Sequence, residues 1–111
     1  MNIIKTDFFQ QQFDKLKRKY PKMLGDYSAF VKNIKLEPFS NLWNNVYKFR
    51  IKNSSIPTWK RWWFRIIILF LDLENIIPLF IYSKTEKENV NMQEILNAKK
   101  IILKELQEKN S

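Results

Sequence analysis

Apolar residues recur at helical spacing at both ends of the chain and at strand spacing through its middle. Phe9, Phe13 and Leu16 stand three or four positions apart, while Lys15, Lys17, Arg18 and Lys19 fall outside that stripe. The period predicts an amphipathic helix over 7–19, with Thr6 as its N-cap and Pro21 as its stop. Tyr27, Phe30, Val31 and Ile34 repeat the spacing and predict a second helix over 25–36, closing before Pro38. Near the C-terminus, "NMQEILNAKKIILKELQEK" carries Ile95, Ala98, Ile102 and Leu106 at the same period, with Asn91 and Glu94 in capping-box register. A third amphipathic helix over 91–109 follows.

Between these helices the period changes to two. "VYKFRIK" (46–52) sets Val46, Lys48, Arg50 and Lys52 on one face against Tyr47, Phe49 and Ile51 on the other. A strand of that kind presents a basic surface. "FRIIILFLD" (64–72) is almost wholly apolar and predicts the central strand, and "IIPLFIYSK" (76–84) follows after a short polar turn, so the two form a hairpin. Pro78 removes a ladder donor there and demands an outward-facing position or a local bulge. The opening "NIIK" has room only for a short strand.

Two N-terminal helices, a three- or four-stranded antiparallel sheet and a C-terminal helix make one α+β domain, which 111 residues can supply with a single core. Phe9, Phe13, Phe30, Phe49, Ile66, Ile68, Phe70, Leu79 and Ile81 are its expected members. The longest apolar run, "IIILFL", is far short of the ~20 residues a spanning helix needs. The N-terminus lacks the apolar core of a signal peptide, so the expected location is cytoplasmic, with no membrane partner.

Charge narrows the partner. Twenty Lys+Arg against 11 Asp+Glu leave +9, which favours a polyanion. The chain has no cysteine and no histidine, so thiolate and imidazole metal sites and histidine acid–base chemistry are excluded, and no cofactor is expected. Catalysis, if present, falls to Lys, Arg, Tyr or carboxylates.

The element order and two stretches together resemble the RelE/HigB toxins of type II toxin–antitoxin pairs. "NLWNNVYKFRIKN" is similar to the family's strand ending in Tyr-Lys-[Ile/Leu]-Arg. "IPTWKRWWFRIIILFLD…IPLFIYSKTEKENV" is similar to its basic loop, Arg-headed apolar strand, hairpin and Ile-Tyr-x-Lys run. The resemblance implies a RelE-like fold and a ribosome-dependent mRNA endonuclease that inhibits translation and is held inactive by a cognate antitoxin. Its partners would be the antitoxin, the ribosome and mRNA. Cleavage would run without metal, through attack of a ribose 2′-OH on the adjacent phosphate.

On that resemblance Arg65 stabilises transition-state charge, Arg50 engages the scissile phosphate, and Tyr82 is the general acid or a surface for base stacking, with Lys84 beside it. Lys48, Lys60 and Arg61 bind the RNA backbone. The plain alternatives are a solvated strand face for Lys48 and Arg50, ordinary surface charge for Lys60 and Arg61, and an amphipathic core edge for Tyr82. An arginine heading an apolar strand has no such easy alternative, since its head group needs a site or an ion pair. Some family members carry a tyrosine where this chain has Ile68 and Leu69, which would leave the role to Tyr82. Two other functions fit less of the pattern. One is a same-fold ParE-like toxin that inhibits gyrase, for which the basic strand face has no use. The other is a non-catalytic nucleic-acid or membrane-surface binder, or a degenerate toxin.

All four tryptophans (Trp43, Trp59, Trp62 and Trp63) fall where the family pattern has glycine, and the chain holds one glycine where average usage predicts about eight. A loop between paired strands that approaches an RNA backbone favours positive φ and little bulk. The expectation is that these four codons are UGA, read as glycine in a recoded AT-rich genome. Lys–Trp interleaving, which would otherwise suggest base stacking or membrane anchoring, then loses its meaning.

Overall fold

The computed structural model describes residues 2–34, 40–57, 60, 63–87 and 89–109, with Ser40 described by its backbone alone. Helix α1 (Asp7–Lys19) starts as its sequence requires, with the Phe9 N–H donating to Thr6 Oγ1 at 3.2 Å. It ends at Tyr20, whose N–H still reaches the Leu16 carbonyl. Phe9, Phe13 and Leu16 are its buried stripe. Helix α2 (Met23–Lys32) begins two residues earlier than the apolar period indicates and stops short of Asn33. There the Asn33 N–H reaches both Phe30 and Val31 carbonyls, a tightened last turn that closes the helix before Ile34. Residues 35 and 36 lie outside the described residues.

Five strands form one sheet, in the order β1-β5-β4-β3-β2. They are β1 (Asn2–Ile3), β2 (Ser40–Trp43), β3 (Val46–Ile51), β4 (Phe64–Phe70) and β5 (Asn75–Ser83). The expected antiparallel sheet of three or four strands is therefore extended at both edges and is mixed. β1 pairs parallel to β5, Asn2 opposite Asn75 and Ile3 opposite Ile76, and the Ile4 N–H continues the ladder to the Ile76 carbonyl at 2.9 Å. Pro78 is accommodated by a bulge. Ile68 pairs with Pro78 and Ile67 with Phe80, so Leu79 is the extra residue.

The two faces of the sheet carry different layers. Phe49, Ile51, Phe64, Ile66, Ile68, Phe70 and Ile81 pack under α1 and α2, with Phe13 edge-on to Tyr27 at 5.0 Å and Phe30 edge-on to Phe49 at 5.6 Å. On the other face Val46, Ile67, Ile77 and Leu79 pack with Ile95 and Ile102 of α3 (Met92–Lys109). Each of these side chains contributes about 1.5–3 kcal/mol by leaving water. Every expected core residue is buried except Phe30, which is half-buried.

Helix α3 opens on the reciprocal bonds of a capping box. The Glu94 N–H donates to Asn91 Oδ1 at 2.8 Å, and the Asn91 N–H to Glu94 Oε1 at 3.4 Å. Farther along, Glu105 reaches the start of α1 and accepts the backbone N–H groups of Asp7 and Phe8 at 2.8–3.2 Å. The two terminal regions of the chain are joined through that carboxylate.

Candidate nucleic-acid interface

Helix α3 covers only part of its side of the sheet. Strand alternation turns Lys48, Arg50, Arg65 and Tyr82 to that side, together with the α3-covered Val46, Ile67 and Leu79. The basic face expected for 46–52 is thus divided: Val46 is fully buried in the α3 layer, and the charge begins at Lys48.

Register gathers the charges. Arg50 stands opposite Arg65, and Arg65 opposite Tyr82, so the three make one row across β3, β4 and β5. Lys48 is one alternation away, opposite Ile67. Burial holds the Lys48 ammonium below the usual lysine range, and the positive fields of Arg65 and then Arg50 press it lower. Arg65, half-buried, is lowered by burial and then by Arg50, with Tyr82 acting in the opposite sense. It remains charged at physiological pH. Lys48, Arg50 and Arg65 thus lie within one another's field on this face of the sheet.

Tyr82 closes the row from beneath. It is 6% exposed and packs in the α3 layer with Val90 and Ile95. Its hydroxyl has no hydrogen-bond partner among the described residues. Burial raises its pKa, Arg65 opposes that rise, and Glu94 at the start of α3 adds to it.

The remaining candidates stand around this row. Lys84 is exposed in the turn after β5. Lys60 is half-buried in the turn before β4, where its N–H donates to the Pro57 carbonyl at 3.1 Å. Arg61, Trp59 and Trp62 lie outside the described residues. Trp43 and Trp63 are half-buried, and the Trp43 ring receives the Lys99 ammonium 4.2 Å from its centroid. Neither has positive φ; among the described residues the left-handed position in this region is Asn44, at φ 45°. The backbone thus takes the conformation that favours glycine at Asn44, one residue after Trp43.

Two neighbours of the row carried no signal in the sequence. Lys48 Nζ donates to Asn89 Oδ1 at 3.5 Å, across 41 positions of chain. Lys87 pairs with Glu94 and so ties the turn after β5 to α3. A cleft of about 370 Å³ lies elsewhere, at the opposite end of β4, between Asn45, Tyr47, Phe49, Phe70 and the 71–73 turn. Its described walls carry one carboxylate, Asp72, and no cation. Among the described residues no helix is long and apolar enough to cross a membrane. No family model matches the chain, and no curated protein matches it.

Proposed function

We propose that the chain is an endoribonuclease toxin of the RelE/HigB kind, which cleaves mRNA on the ribosome and is silenced by a cognate antitoxin. The observation that carries this reading is the Arg50–Arg65–Tyr82 row with Lys48 beside it. In the cleavage step the ribose 2′-oxygen attacks the adjacent phosphorus, the bond to the 5′-oxygen breaks, and a 2′,3′-cyclic phosphate and a 5′-hydroxyl result. Arg65 and Arg50 stabilise the charge that grows on the non-bridging oxygens. Lys48, with its depressed pKa, is suited to take the 2′-OH proton. Tyr82 supplies the proton to the leaving oxygen, and Lys84, Lys60 and Arg61 hold the flanking backbone. The ribosome supplies the alignment that a site without histidine needs for speed.

The burial of the Tyr82 hydroxyl favours a second reading, in which the same cationic row binds RNA without cutting it. Incubation of the purified chain with programmed ribosomes separates the two. The endonuclease reading expects cyclic-phosphate ends that vanish with Arg65→Ala; intact mRNA that still co-sediments with the chain would leave only the binder.

A further inference from the structure

From the geometry we infer that the C-terminal half of α1 is a second RNA-binding surface, separate from the sheet row, which grips the phosphate backbone of folded RNA. The inference rests on the reading of the chain as an RNA-acting protein and extends it to a different face. Its origin is "KLKRKYPK", residues 15–22, where five of eight positions are Lys or Arg and none is acidic. By contrast α3 alternates cations with Glu94, Glu105 and Glu108. The excess charge is therefore concentrated, as a polyanion-binding surface requires and general solubility does not.

Helical geometry sorts these cations. Lys15, Arg18 and Lys19 stand three and four positions apart and share one exposed face, with exposed Lys22 just past the helix end. Lys15, Arg18 and Lys22 form no ion pair among the described residues. Lys19 pairs with Glu86 at 2.8 Å, with side chains 57% and 42% exposed, so the pair is weak and readily exchanged for a phosphate.

The fold sets this stripe at the same end of the sheet as the row but on the opposite face, where α1 packs. The Tyr20 hydroxyl meets Ser83 Oγ at 3.5 Å, next to Tyr82, and the Tyr20 ring lies edge-on to Phe64 at 5.2 Å, next to Arg65. Phe64 and Ser83 point to the α1 side where Arg65 and Tyr82 point to the α3 side, so the stripe and the row are two separate surfaces.

The aromatic side chains decide what kind of RNA. Single strands are held by stacking on exposed rings. Here Phe9, Phe13 and Tyr20 all face the core, so the stripe of Lys15, Arg18 and Lys19 carries no exposed ring. A helical row of cations without a stacking ring suits the regular backbone of a duplex or folded RNA, which is recognised by shape and phosphate.

The test measures binding to an RNA hairpin and to an unstructured single strand of equal length, across a salt series. Arg65→Ala serves as background, so that cleavage plays no part. Adding Lys15→Gln and Arg18→Gln should weaken hairpin binding and reduce the salt slope by about 2, with a smaller effect on the single strand. Circular dichroism confirms that the helix persists. An unchanged hairpin slope, an equal or larger loss for the single strand, or tighter binding to phosphatidylserine vesicles than to the hairpin would overturn the assignment. Because no cleavage is read, the endonuclease proposal can fail while this one stands, and the reverse.

Discussion

Arg50 and Arg65 face each other directly across β3 and β4, two guanidinium groups in one cross-strand pair. Like charges so placed oppose folding by roughly 0.2–1 kcal/mol, and a sheet built only for stability would not keep them. Arg50→Thr should therefore raise the melting temperature slightly while it reduces RNA cleavage. Thermal denaturation beside an activity assay checks the pair of effects, and a variant that loses stability would contradict the repulsion.

Lys48 feels the same field. Burial and the two arginines depress its pKa, so an anion seated on the row should raise it again by cancelling their repulsion. The Lys48 side-chain resonance, titrated by NMR with and without a short RNA carrying a non-cleavable 2′-O-methyl linkage, should move its midpoint upward on binding. An unmoved midpoint would place the RNA elsewhere.

Tyr82→Phe removes a buried hydroxyl that has no hydrogen-bond partner among the described residues. Such a group costs about 1–3 kcal/mol when left unsatisfied, so the variant should be as stable as the parent or more so. If Tyr82 protonates the leaving oxygen, cleavage falls by roughly a hundred- to ten-thousandfold, the range typical of general acid catalysis. Full activity in the variant would reduce Tyr82 to a core residue.

The Glu105 link between α3 and α1 gives the fold a pH dependence. Burial alone would raise its pKa, but the N–H groups of Asp7 and Phe8, with Lys109, more than offset that and leave it lowered. A lowered carboxylate contributes its stability above the unfolded value of about 4.3 and loses it as pH falls through the folded pKa. Glu105→Gln should destabilise by about 1 kcal/mol at pH 7, and parent and variant should converge in acid. Denaturant titrations at pH 7 and pH 3 make the comparison.

What the chain made legible follows from how local each feature is. Thr6, Asn91 and Glu94 act within one helical turn, so their caps could be read directly and are present. Pro78 announced an irregularity, and the bulge at Leu79 supplies it. The short strand at "NIIK" is present as β1, but its parallel pairing at 73 positions' separation left no local trace, and β2, with four residues, was too short to show a period. For the site, alternation put Lys48 and Arg50 on one face. It could not say that Val46 on that face lies under α3, or that Tyr82 is covered by Val90 and Ile95. Those facts depend on where a helix docks.

The tryptophans are tested at the gene. UGA at codons 43, 59, 62 and 63 is the expected finding, and the chain carrying W43G, W59G, W62G and W63G should then fold and outperform the tryptophan form in cleavage. Four UGG codons would end the recoding idea. The Lys99–Trp43 contact would then be a native one.

The central claim is that the Arg50–Arg65–Tyr82 row cuts RNA. The most direct measurement is the mapping of 5′-hydroxyl and 2′,3′-cyclic-phosphate ends on ribosome-bound mRNA after addition of the purified chain and, in parallel, of its Arg65→Ala variant. The expected result is defined cuts by the parent and at least a hundredfold fewer by the variant, in line with the loss of one transition-state charge stabiliser. Equal cutting by both, or none by a correctly folded parent, would contradict the account.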